Sequence, residues 1–196
     1  MTQVSFDTFI NKARAGYLVS FPTDTVPALA VLPEKAELIF EAKQRQQDKP
    51  LILMAASADE LWQFCKGSAA EFNIWQQFAA SYWPGAITLV LPASEKVPKA
   101  VNPTDPTTIG LRVPNCAIAC QILAQTGPMA TTSANLSGQP PLQSIAEIAA
   151  QFPNVLTLIP NELESTHQAM GVPSTVAKWT NSGWEILRQG VVNLNR

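Results

Sequence analysis

The stretch KPLILMAASADELW, Lys49–Trp62, carries the alternation on which the fold class turns. Leu51 to Ala55 is an apolar run of strand length behind a proline. Ser57 and Glu60 then stand in the S-x-x-E spacing, in which a hydroxyl and a carboxylate satisfy the free amides of a helix's first turn. A strand that runs straight into a helix start is the unit of an α/β protein. The pattern repeats outward. YLVSF (17–21), AITLVL (86–91), TIGLRV (108–113), PMATTS (128–133), VLTLI (155–159), STVAKW (174–179) and WEILR (184–188) are further strand-length runs, punctuated by proline, glycine or asparagine. Ser68 with Glu71 and Ser144 with Glu147 mark two more helix starts. Strands alternating with helices early and shorter strands late predict an α/β sandwich around a twisted mixed sheet.

The chain's 196 residues are 46% hydrophobic and 14% charged, which excludes disorder and predicts one domain, residues 1–196, with a sizeable core. A net charge of -2 excludes the overall basicity of a protein that coats nucleic acid, so any anion site must come from local clustering. Cys65, Cys116 and Cys120 form neither an even disulfide framework nor a CxxC pair, which fits a reducing cytoplasm. Cys116 and Cys120 share a helix face at i, i+4, but two ligands without partners read as core thiols, and no metal site is assigned. The N-terminal residues lack a secretory h-region, and no run approaches the ~20 apolar residues that cross a bilayer. The expectation is a soluble, cytoplasmic protein without a membrane contact.

Immediately upstream of the opening stretch, Lys43, Arg45 and Lys49 stand at even offsets, so an extended chain places all three on one side. A helix would scatter them, and convergence requires the preceding helix to end near Lys43. Two readings stand: solvated cations complementing a helix C-terminus, or an anion site. Downstream of YLVSF, Thr23, Asp24 and Thr25 form a polar turn before hydrophobic residues resume. Arg112 lies inside an otherwise apolar strand, where a guanidinium needs a carboxylate or phosphate partner, either a structural Asp or a ligand. MATTSANLSG packs Thr131, Thr132, Ser133, Asn135 and Ser137 into a strand-to-loop segment, either a hydroxyl-rich turn or a nest for anionic oxygens. Ser174 after a proline and Arg188 near a strand end have the same two readings. His167, the single histidine, reads as a solvated residue, and no G-x-S-x-G, Walker A or G-x-G-x-x-G signature is present.

Taken in order, FPTDTV, KQRQQDKPL, WPGAITLVL, IGLRVP, TTSANLSG, PSTV and LRQG resemble the YrdC-like threonylcarbamoyl-AMP synthase family from about Tyr17 to Gly190. The resemblance implies that family's single-domain α/β fold, with a twisted mixed parallel and antiparallel sheet, flanking helices and a large positively charged cavity. It implies synthesis of threonylcarbamoyl-adenylate and pyrophosphate from ATP, L-threonine and bicarbonate, usually with Mg2+. The adenylate then serves tRNA threonylcarbamoyl transferase machinery that makes N6-threonylcarbamoyladenosine at position 37, with a weak tRNA or RNA contact possible in principle. By similarity Lys43, Arg45, Lys49, Thr108, Thr131, Ser133 and Arg188 fall at the ATP site, and Thr23, Arg112 and Ser174 at the threonine site. No dedicated acid or base is implied. A relative that binds RNA, ATP or threonine without catalysis is the alternative. The chain departs from the family where T-V-Y-G-L is usual, reading Thr25-Val26-Pro27-Ala28-Leu29, and at Met54, Pro141, Asn161-Glu162-Leu163 and Lys178.

Overall fold

A computed structural model describes residues 2–44, 49–163, 170–180 and 182–194. In chain order the elements are β1 (Gln3–Val4), α1 (Phe6–Arg14), β2 (Val19–Phe21), β3 (Ala28–Val31), α2 (Glu37–Ala42), β4 (Ile52–Met54), α3 (Ala58–Trp62) and α4 (Ala69–Tyr82). There follow β5 (Ile87–Pro92), β6 (Thr108–Arg112), α5 (Ala117–Thr126), β7 (Met129–Ser133), α6 (Ile145–Gln151), β8 (Leu156–Leu158), β9 (Thr175–Thr180) and β10 (Gly183–Arg188). The strands form one sheet in the order β1-β8-β2-β3-β7-β4-β6-β5-β9-β10. It is mixed: β4 runs parallel to β6 and β5 to β9, while β3 and β4 flank β7 antiparallel.

All eight apolar runs supply strands, and all three S-x-x-E pairs open helices. Ser68 and Ser144 complete their capping boxes, each accepting from the amide three residues on while that residue's carboxylate accepts from the serine amide. Ser57 does not. Its hydroxyl donates to Glu60 Oε1 at 2.8 Å and accepts no amide, so the five-residue α3 starts without a side-chain cap. Two strands lack a readable sequence signature. β1 is two residues long, and β3, ALAV, is buried throughout and alanine-rich, so it shows neither alternation nor β-branched enrichment. β3 forms an antiparallel hairpin with β2, which makes the polar Thr23–Thr25 turn its connection.

The alternation of side chains along the central strands divides the molecule in two. Leu53, Leu89, Leu91, Ile109 and Leu111 face one side and pack with Val31, Ile39, Leu61 and Trp75 in the largest core cluster. The intervening residues, Ile52 and Met54, Thr88 and Val90, Thr108, Gly110 and Arg112, face a cavity. Aromatic contacts dock α4 on the last hairpin: Phe78 stacks on Trp184 at 4.3 Å, and Trp75 meets Trp179 edge-on at 6.3 Å. Such pairs contribute about 0.5–1.5 kcal/mol each beyond their buried area. They anchor β9 and β10, whose ends carry Ser174 and Arg188. No helix among the described residues is long and apolar enough to cross a membrane.

Candidate functional site

The cavity has a volume of about 430 Å³, within the range of small-molecule sites. Lys43, Lys49, Thr108, Thr131, Ser133, Arg188, Thr23, Arg112 and Ser174 all line it. Of the ten candidate residues these nine are described, and they converge from segments scattered over the sequence. Arg45, like His167, lies outside the described residues.

α2 ends at Ala42, and Gln44 turns the chain away with a positive φ of 48°. The terminus falls where convergence of the cations demands it. Lys43 is not a solvated helix-end cation, however: it is 2% exposed, and its ammonium donates to the Ser133 carbonyl and, at 3.2 Å, to Asn135 Oδ1. Asn135 Oδ1 also accepts from Ser133 Oγ at 2.6 Å, while its amide donates to Leu136 and Gln139 carbonyls. The hydroxyl-rich segment after β7 is therefore closed on itself by Asn135 and tied to the end of α2.

Arg112 has a structural carboxylate. Nη2 donates to Asp24 Oδ1 at 2.6 Å, Nη1 to Thr25 Oγ1 at 2.8 Å and Nε to the Gly85 carbonyl at 3.1 Å. Three of the five guanidinium protons are thus engaged, leaving two for a ligand. Thr25 and Thr23 hydroxyls lie 3.1 Å apart, and Thr23 donates to the Val26 carbonyl at 2.7 Å, which makes the β2–β3 turn a bonded chain behind Arg112. Burial pulls the Arg112 guanidinium below its ordinary pKa; Asp24 opposes that pull and the charge of Arg188 adds to it. The two arginines therefore feel one another, a region where an anion is favoured and a third cation is not.

Arg188 is held by neutral oxygens. Nη2 and Nε donate to the Ser174 carbonyl at 2.9 and 3.2 Å, and Nη2 reaches Ser174 Oγ at 3.3 Å. The residue as a whole is exposed, but its guanidinium is enclosed enough for desolvation to lower its pKa. Thr108 Oγ1 donates to Asp105 Oδ2 and accepts from Asn102 at 3.2 and 3.3 Å, and Thr131 Oγ1 reaches the Ile52 carbonyl at 3.4 Å. Gly110 keeps the floor open, since a Cβ there would lie 2.7 Å from Ile52 Cγ2. Asp24, Thr25, Thr88 and Asn135 belong to this site although sequence reasoning did not assign them. For Asp24 the demand for a counter-charge at Arg112 was the usable signal, and for Asn135 its place in the polar segment after β7; Asp24 is 88 residues from Arg112.

Of the positions at which the chain departs from the resembled family's usual residues, two are cavity walls and the others, Pro141, Asn161, Glu162 and Leu163 among them, are not part of its lining. Ala28 and Met54 line the cavity, while Pro27 places its carbonyl to accept the Ala134 amide at 2.8 Å. Lys178 lies on β9 and is registered with Glu185 of β10. Cys116 stands at the N-cap position of α5 without a side-chain capping bond and is buried, Cys120 is half-buried, and their thiols donate to the Pro22 and Pro114 carbonyls.

The chain is 37% identical over 181 residues to the threonylcarbamoyl-AMP synthase of Pyrococcus abyssi (strain GE5 / Orsay), an alignment that covers 90% of this chain and 51% of that protein. It is 32% identical over 190 residues to the threonylcarbamoyl-AMP synthase of Vibrio campbellii (strain ATCC BAA-1116), covering 95% and 99%. It thus spans about half of the archaeal relative and nearly all of the bacterial one. The crystal structure of P. abyssi Sua5 complexed with L-threonine superposes with a TM-score of 0.81 at 34% identity, over 92% of this chain and 52% of that one. The profile of the Sua5/YciO/YrdC family, described as "Telomere recombination", matches residues 11–190. With almost the whole chain matched in sequence and in backbone, it belongs to the Sua5/YciO/YrdC family.

Proposed function

We propose that this protein is a threonylcarbamoyl-AMP synthase, which joins L-threonine, bicarbonate and ATP. The observation that carries the reading is the convergence of nine predicted ligand residues on one cavity. The names of the relatives and the threonine-bound Sua5 structure support it. In the reaction, the amine of threonine and bicarbonate give a carbamate and water. A carbamate oxygen then forms a bond to the α-phosphorus of ATP, the bond to the bridging oxygen breaks, and pyrophosphate leaves with the electron pair.

The carbamate is already anionic, so alignment and relief of charge repulsion are what the site must supply. Arg112 offers its two remaining N–H groups to the threonine carboxylate, with Ser174 and Thr23 beside it. Lys49 and Arg188 face the triphosphate, with Arg45 assigned to it by resemblance alone, and Lys43 holds the Ser133 segment whose hydroxyls and amides meet phosphate oxygens. Thr108 and Thr131 complete the nucleotide side. Mg2+ enters on the phosphates as part of the substrate, the usual way this cation accompanies a triphosphate. The product passes to the tRNA threonylcarbamoyl transferase machinery.

Incubation with ATP, labelled bicarbonate and L-threonine tests the assignment. Labelled adenylate and pyrophosphate are expected in equal amounts; no product across a range of Mg2+ concentrations overturns it.

A further inference from the structure

Thr88 is 1% exposed, points from β5 into the cavity, and has so far no role. Its hydroxyl lies 2.9 Å from Ser174 Oγ, which is its hydrogen-bond partner among the described residues. The direction of that bond follows from counting protons. A serine or threonine hydroxyl has one proton to donate and two lone pairs to accept with. Were Ser174 the donor, the proton left for the cavity would fall to Thr88, the more deeply buried of the two hydroxyl residues at 1% exposed against 4%. With Thr88 as donor, its own proton is satisfied. Ser174 Oγ then accepts from Thr88 and from Arg188 Nη2 at 3.3 Å, so both of its lone pairs are filled. The one remaining function of Ser174 is its proton, and the bonds behind it leave the cavity as the direction for that proton.

We propose that Thr88 is a positioning residue that makes Ser174 an obligate hydrogen-bond donor toward the cavity, selecting a carboxylate oxygen of the bound amino acid. The inference rests on the threonine-site reading of Ser174 given above. It assigns the acceptor role of Ser174 to the protein side and its donor role to the ligand side. A hydroxyl fixed in this way meets an anionic oxygen well and repels an ammonium or amide donor placed there. Arg188 is clamped chiefly on the Ser174 carbonyl, at 2.9 and 3.2 Å, and touches the hydroxyl by one longer bond of 3.3 Å, so the nucleotide side is only weakly coupled to Thr88.

Calorimetric titration with L-threonine and, separately, with ATP tests this without relying on turnover. Thr88→Val should weaken L-threonine binding about fivefold to tenfold, the equivalent of one oriented hydrogen bond, while ATP affinity changes less than about twofold. Thr88→Ser, which keeps the donor, should restore L-threonine affinity to within about twofold of wild type. In a Ser174→Ala background, Thr88→Val should cause no further loss, because the hydroxyl it orients is gone. Unchanged L-threonine affinity in Thr88→Val, a Thr88→Ser protein as weak as the valine variant, or a loss that persists without Ser174 each overturns the positioning role alone. A wild-type protein that does not bind L-threonine overturns the threonine-site reading, and the role of Thr88 falls with it.

Discussion

Arg112 and Arg188 face one cavity from opposite flanks of β5 and β9, yet they are held in contrasting ways. Arg112 is 4% exposed and locked by Asp24, two side-chain or backbone oxygens and a buried turn. Arg188 sits on an exposed strand end and rests on the carbonyl and hydroxyl of Ser174. The first charge is part of the framework and answers to its counter-ion. The second has neutral neighbours in its hydrogen bonds and keeps most of its field for a ligand. One wall should therefore report on folding and the other on anion binding.

The sharpest way to break this contrast is at Asp24. Asp24→Ala leaves the Arg112 guanidinium buried without its carboxylate, and unfolding by urea should show a loss of about 3–5 kcal/mol. If the orphaned charge is the cause, adding Arg112→Met to the same protein should recover much of that loss. At the other wall, Arg188→Met should lower ATP affinity by about 1.5–3 kcal/mol, roughly tenfold to a hundredfold, through loss of a charge-assisted phosphate contact. Its urea midpoint should move little, by an amount equivalent to about 1 kcal/mol or less. Equal stability effects from the two arginine walls would erase the distinction.

Gly190 gives a second handle on the Arg188 wall. Its amide donates to Thr175 Oγ1 at 3.0 Å, and a Cβ at this position would fall against the backbone of Pro173, Ser174 and Thr175, closer than real Cβ contacts come. Backbone cannot rotate aside as a side-chain tip can. Gly190→Ala should therefore destabilise by about 1–3 kcal/mol and weaken L-threonine and ATP binding together, because Ser174 and Arg188 shift as a unit. Binding that survives intact at both subsites would separate the Gly190 return from the site.

How far these walls were legible in the sequence follows the range of the interactions. The strand-length runs and the S-x-x-E pairs are local, and each appears as an element. Even there, Ser57 shows that a correct spacing does not fix the bonds made: its hydroxyl donates to Glu60 but accepts no amide, whereas the Ser68 and Ser144 hydroxyls do both. β3 escaped because a strand buried on both faces and rich in alanine has no period-two signature. At the site, the need for a partner at Arg112 was visible in the strand TIGLR, but that partner depends on sheet order, which brings the β2–β3 turn opposite the end of β6. Thr88 was hidden for the same reason: within AITLVL it is a polar residue in an apolar run, and only the parallel pairing of β5 with β9 sets it beside Ser174. The cations upstream of Pro50 were readable as a cluster, whereas the burial of Lys43 against Ser133 and Asn135 was not.

The smallest expected effect tests whether the Asp24 charge is felt beyond Arg112. The Cys120 thiol is pushed up chiefly by burial, with the Asp24 carboxylate adding to the shift, since a nearby negative charge disfavours the thiolate. Asp24→Asn keeps an acceptor for Arg112 but removes the charge, so the Cys120 pKa should fall slightly. Residue-resolved alkylation over pH 7–11 separates this from simple loosening. Only the thiolate reacts, so a lower pKa moves the midpoint of the rate profile to lower pH and raises the rate on its acid side, while the high-pH plateau stays put. Looser packing would instead lift the plateau, because every thiolate becomes easier to reach. A shifted midpoint with an unchanged plateau identifies Asp24 as a charge shared by the guanidinium and the thiol; a raised plateau with the midpoint in place reduces it to the local partner of Arg112.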